Sequence, residues 1–202
     1  PSLYRMNVLH IPTPSEASAG DTVGHNVDGT GDICGVPDYA GGVDNSLIDL
    51  AAALPALAPD DPVDLQAEID AGLACAAGST DCSRIDLIVS VRTGTGCVIV
   101  EVEDGEGETL AGPFTGSLDS NGNMRGNVSA LALTIPYSTE DGPVDINLSV
   151  TNVIITGTLT SDGLEDVVIG GALVQSDFET TIMNLLPLLG GDITFEDIGP
   201  TL

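Results

Sequence analysis

The reading of Val144–Ile155, VDINLSVTNVII, decides the fold. Val144, Ile146, Leu148 and Val150 alternate with Asp145, Asn147, Ser149 and Thr151, the period of two that lines one face of a strand with apolar side chains and the other with polar ones. Beyond Thr151 the apolar set moves to Val153 and Ile155, which predicts a bulge or corner near Asn152. Asp141-Gly142-Pro143 marks a turn before this strand, and Leu131, Leu133, Ile135 and Tyr137 alternate ahead of that turn. Asp162-Gly163 marks a turn after it, leading into Val167–Val174.

The same period holds further upstream. Ile85, Leu87, Val89 and Val91 share one face, opposite Asp86, Ser90 and Arg92. Cys97–Asp104 is another strand, whose far end carries Glu101, Glu103, Asp104, Glu106 and Glu108 and reads as a solvated hairpin end. Asn121-Gly122 is a hairpin turn. Six or seven antiparallel strands follow, so the chain is expected to be mainly β with a few helices: an antiparallel sandwich or a partly closed barrel. One domain, 1–202, accounts for this length, with 85–174 as its β region and 175–202 as a C-terminal helix and tail.

The first 84 residues read differently. Leu3–Ile11 is rich in β-formers on both faces and predicts an opening strand that ends at Pro12 and Pro14. Asp44, Asn45 or Ser46 caps a helix burying Leu47, Leu50, Leu54 and Leu57. A second helix is expected to start with Asp61 as cap and Pro62 at its first position, burying Leu65, Ile69 and Leu73. Near the other end, Ser176 and Glu179 form a capping box for a helix with Phe178, Ile182, Leu185 and Leu186 on its apolar side, stopped by Pro187.

Between the opening strand and the first helix lies Gly24–Asn45, GHNVDGTGDICGVPDYAGGVDN. Asn26, Asp28, Thr30, Asp32, Asp38 and Asp44 alternate there with glycines whose freedom lets the backbone fold oxygens inward, as a calcium site with six to eight oxygen ligands requires. The spacing Asn26, Asp28, Thr30, Gly31 copies the first half of an EF-hand loop, but the bidentate acid due at the twelfth position falls on Pro37. Calcium closed by Asp32, Asp38 or Asp44 is one reading. An Asx-rich turn capping the next helix is the other.

The 31 acids stand against four basic residues, all arginine, for a formal charge of −27. Such a chain repels phosphate backbones and anionic membranes, which disfavours nucleic-acid and membrane-surface partners. No apolar run reaches the length of a membrane span. Cys34, Cys75, Cys82 and Cys97 are an even set without CxxC spacing, which points to disulfides in an oxidising compartment. Of three pairings, Cys75 with Cys82 closes a short local loop and leaves Cys34 with Cys97. A start at Pro1 with no signal segment is expected of a chain processed after export.

The segments IPTPSEASAG (11–20), HNVDGTGD (25–32), GGVDNSLIDLAAALP (41–55) and DLQAEIDAG (64–72), with DGLEDVVIGGAL (162–173) and SDFETTIMNLL (176–186), resemble an uncharacterised group of bacterial exported proteins and lipoproteins. Their opening joins an LPTS-like segment to a DLDGDG-type acidic loop, a VDN helix and a DLQ helix. The resemblance implies export, with a lipid anchor upstream of Pro1 in the lipoprotein members, and implies Asn26, Asp28, Asp32 and Asp44 as loop oxygens. It implies no activity. The insertion carrying Cys34 and Asp38 departs from the compact form of that loop.

Catalytic patterns are absent. His10 and His25 are the two histidines, no G-x-S-x-G elbow accompanies them, and HExxH and Walker A motifs are missing. A carboxylate-based hydrolase is a remote alternative, set back by the absence of tryptophan and by 3% aromatic content, which leaves few stacking platforms for sugars. The expected function is therefore a non-enzymatic, calcium-stabilised subunit of a cell-surface or extracellular assembly, meeting other copies of itself or a surface protein. The alternative is a monomeric module that binds calcium or a small ligand.

Overall fold

The computed structural model describes residues 1–19, 23–31, 38–39, 42–45, 48, 64–79, 82, 84–139, 142–174, 176, 179–180 and 183. Seven strands form one antiparallel sheet in chain order: β1 (Ser2–Arg5), β2 (Leu87–Gly94), β3 (Cys97–Asp104), β4 (Thr109–Leu118), β5 (Asn123–Thr139), β6 (Gly142–Leu159) and β7 (Leu164–Leu173). The sheet curls into a half-barrel, so the partly closed barrel is realised and the two-sheet sandwich is not. Among the described residues, helices α1 (Pro14–Ala19) and α2 (Leu65–Ala74) precede β2.

The inner face is built from cross-strand apolar pairs. Val91 lies opposite Val100, Val100 opposite Phe114, and Val128 opposite Val153, and all but half-buried Val128 are buried. Gly116 and Gly126 face each other in the next row, between Val98 and Ile155. A side chain on Gly126 would meet the Phe114 ring, with a Cβ only 2.5 Å from Cε2. The paired glycines therefore make the space that the ring fills.

The corner expected near Asn152 is present. Asn152 has φ of 50°, and the β6–β7 register shifts between Thr151 and Ile154. Opposite it, the β5–β6 pairing skips Ser129, and the inner set passes from Val128 to Leu131 on β5 and from Val150 to Val153 on β6. Both strands change side-chain phase at one rung. Pairing continues in the same register on either side.

The opening strand is shorter than its composition suggests: it covers Ser2–Arg5 and not Leu3–Ile11. Leu9 and Ile11 make ladder-like bonds elsewhere. Gln66 of α2 donates from Nε2 to Leu9 O at 2.9 Å and accepts at Oε1 from Ile11 N at 3.0 Å. Thr13 and Glu16 form a capping box at the head of α1, with Thr13 N donating to Glu16 Oε2 at 2.7 Å and Glu16 N donating to Thr13 Oγ1 at 3.2 Å. The donation from Thr13 N, then that from the Thr13 hydroxyl to Glu16 Oε2 at 2.9 Å, with His10 close by, hold the Glu16 carboxyl below the usual range. The expected second helix starts later than read, since Asp64 is its cap and accepts from Ala67 N, while Asp61 lies outside the described residues. Leu65 and Ile69 are buried as expected, and α2 packs against β5.

Arg5 and Arg84 converge on Asp86, tying β1 to the approach of β2. The disulfide Cys75–Cys82 closes the turn after α2. Among the described residues Cys97 has no disulfide partner, and Cys34, the partner expected for it, lies outside them. Most of the expected first and third helices lie outside them too.

Candidate cation loop and outer-face groove

The acidic loop is organised by Asp44. His25 and Asp44 form an antiparallel bridge, with Asp44 N donating to His25 O at 3.1 Å. Asp44 Oδ2 then accepts from Val27 N at 2.6 Å and Asp28 N at 3.0 Å. The opening triad folds as an Asx-type turn. Asp28 Oδ1 accepts from Thr30 N at 2.8 Å and from Thr30 Oγ1 at 3.0 Å, while Asn26 donates from Nδ2 to Thr30 O at 2.8 Å. Gly29, at φ of 71°, supplies the left-handed residue such a turn needs.

The structure thus brings Asn26, Asp28, Thr30 and Asp44 into one hydrogen-bonded unit. Asp38 lies against Gly31 and Gly42, whose Cβ positions fall 3.7 and 3.8 Å from its Oδ2. Asp32 lies outside the described residues. Among the described residues no three His, Cys, Asp or Glu side chains gather in metal-binding geometry. Asp44 Oδ1 is buried and meets no hydrogen-bond donor among the described residues. A buried carboxylate oxygen in that position is destabilising unless something positive approaches it.

The loop is tied to the sheet through His25. Its Nε2 lies 3.4 Å from Val168 O on β7, and its ring occupies the space over Gly170.

A second feature, one that sequence reading missed, is a groove of about 510 Å³ on the outer face. Cross-strand register puts Ser117, Arg125 and Thr156 side by side, with Asn123 next to Thr158 one step along. Asp119 and Asp166 complete its polar lining. Asp119 is engaged by its own hairpin loop, accepting from Asn121 N at 2.8 Å, Asn123 N at 2.9 Å and Asn123 Nδ2 at 2.8 Å. The Asn123 side chain first, then its backbone N–H, hold this carboxyl below its usual range. Arg125 has no carboxylate within ion-pair reach among the described residues. No run of sequence signals the groove, because its members come from four strands and meet only through register.

Fold and sites together define a half-barrel β protein with a carboxylate-centred loop laid against its last strand. No protein-family model, curated protein or solved structure matches the chain.

Proposed function

We propose that this protein is a non-enzymatic structural or accessory subunit of an extracellular or cell-surface assembly, stabilised by calcium in its acidic loop. The observation that carries the reading is the unfinished sheet. Among the described residues β1 and β7 each pair on one side only, and Val167, Ile169 and Leu173 on β7, with Val174 just past it, remain about two-fifths exposed. Leu3 on β1 is 64% exposed. Apolar side chains beside an unpaired strand edge are a liability for a free monomer and a contact surface for a subunit. The Cys75–Cys82 disulfide supports an oxidising compartment, and among the described residues no helix is long and apolar enough to cross a membrane.

Native size is the test. Light scattering at near-physiological salt is expected to give a particle larger than the single 20.5 kDa chain; a monomer at every concentration overturns the assembly reading and leaves the monomeric calcium- or small-ligand-binding module in its place. Buried Asp44 Oδ1 supports the calcium half of the proposal. Heating with millimolar calcium is expected to raise the melting midpoint above that in chelator, because an ion bound only by the folded loop adds stability by mass action. Identical midpoints would remove calcium from the reading.

A further inference from the structure

The outer-face groove gathers charges of both signs and leaves them unpaired with one another. Arg125 on β5 and Asp166 on β7 line it from opposite sides of β6, with Thr156 and Thr158 between them. Two strand spacings separate them, so their backbones stand about 10 Å apart. Neither enters an ion pair among the described residues. Asp119 is the third charge of the lining. It sits two residues past Ser117, the β4 neighbour of Arg125, and its Oδ2 accepts from Asn123 Nδ2 while keeping lone pairs for a further donor.

Asp166 owes its place to an irregularity of the backbone. Thr156 pairs with Val168 and Thr158 with Glu165, so the single residue Gly157 faces two, Asp166 and Val167, across a bulge. Asp166 has φ of 50°, a left-handed conformation uncommon for a residue with a side chain. Bulges re-aim side chains, and backbone outliers of this kind gather at binding sites. Here the bulge sets a second acid in a groove that already holds Asp119. In a chain of charge −27 that arrangement is self-repulsive until a cation enters.

We infer that the groove binds a basic α-amino acid: its carboxylate pairs with Arg125, its α-ammonium with Asp119, and its side-chain cation reaches across β6 to Asp166. One cation and two acids on the protein match one acid and two cations on the ligand. An acidic ligand would meet two carboxylates, and a polyamine would set a cation against Arg125. The guanidinium of Arg125 can take a carboxylate through two parallel N–H···O bonds. The spacing from Arg125 to Asp166 suits a ligand whose charges sit at the two ends of a flexible stem, and Thr156 and Thr158 line the way between. A volume of about 510 Å³ lies within the range of small-molecule sites, about 300–1,000 Å³. A monomer and a subunit of an assembly both carry this groove.

The test is isothermal titration calorimetry of the full chain with L-arginine, and with agmatine, which lacks the carboxylate, as the comparison. Circular dichroism confirms that each variant folds. L-arginine is expected to bind saturably, and agmatine about tenfold more weakly or worse. Arg125→Gln is expected to bring L-arginine down to the level of agmatine and to leave agmatine itself unweakened. Asp166→Asn, which keeps a side chain tolerant of φ of 50°, is expected to weaken both ligands about tenfold. Absence of saturable L-arginine binding up to millimolar concentration overturns the site. Agmatine binding as tightly as L-arginine shows only the general pull of an acidic chain on cations, and overturns it too. L-arginine binding that is unchanged in Arg125→Gln or in Asp166→Asn removes it from this groove.

Discussion

Gly126→Val is expected to lower the stability of this protein by about 3 kcal/mol, a drop of roughly 6–12 °C in Tm for a chain of this size. The argument starts from the row Val98, Gly116, Gly126, Ile155, where two facing glycines interrupt an otherwise apolar ladder. Glycine inside a strand is unfavourable in itself, so its presence calls for a local reason. The reason here is Phe114, 8% exposed, whose ring lies over Gly126 so closely that a Cβ would come within 2.5 Å of Cε2 and 2.9 Å of Cδ2. The facing glycine has no more room, since a Cβ on Gly116 would be 2.5 Å from Arg125 O. Phe114→Ala alone is expected to be destabilising by about 3–5 kcal/mol through the cavity it leaves. Valine at 126 partly fills that cavity, so the double variant is expected to be less destabilised than the sum of the singles. Urea unfolding of the four proteins measures the cycle. Additive effects would show that ring and glycine are not packed as a unit.

Gly122→Ala is expected to be destabilising by about 2–3 kcal/mol, and its control is Gly107→Ala at about 1 kcal/mol. The two glycines occupy matching places in matching loops. In Asp104–Glu108 and in Asp119–Asn123 the leading Asp accepts from the amides two and four residues on, and the glycine at the fourth place donates its N–H back to the Asp carbonyl. Gly107 has φ of 87° and Gly122 has φ of 88°. Alanine is strained in that region in both loops. The surroundings differ. A Cβ on Gly107 would meet nothing within 4 Å, whereas one on Gly122 would collide with the Leu159 carbonyl oxygen. Gly122 O also accepts from Leu159 N at 2.8 Å, so the β4–β5 loop is bonded to the end of β6. The difference between the two variants isolates that tertiary contact. Equal losses would mean that only the turn conformation matters.

Much of the sheet was legible because alternation is a local signal. Val144–Ile155 announced both its strand and its corner, since the apolar set skips a residue in the sequence itself. The turn at Asn121-Gly122 and the Cys75–Cys82 bridge were legible for the same reason. Other features depend on distant partners. Met6–Ile11 has strand composition but leaves the sheet after Met6 N bonds to Leu87 O, and Leu9 and Ile11 find their partner in Gln66 instead. Helix α1 was locally legible and missed: Thr13, Pro14 and Glu16 spell a capped start, yet Pro12 and Pro14 read as loop. Asp61 and Asp64 are equally good caps by type, and the bond to Ala67 N decides for Asp64. In the acidic loop the turn of Asn26, Asp28 and Thr30 follows from spacing. The grip of Asp44 on Val27, seventeen residues back, does not. The Arg125 groove is legible only once strand register is known.

The corner at Asn152 limits how this hairpin can change over evolution. Because β5 and β6 shift phase at the same rung and keep their register through it, the hairpin tolerates lengthening only as a matched edit, with a residue gained on one strand answered by one on the other. A lone insertion within β5 between Leu131 and Ile135 would turn the inner residues of that strand outward while its partner stayed in place. Drift in this family of shapes is therefore expected to move in compensated steps. The distal part of the hairpin is free to grow or shrink in pairs while the proximal half of the sheet keeps its pattern.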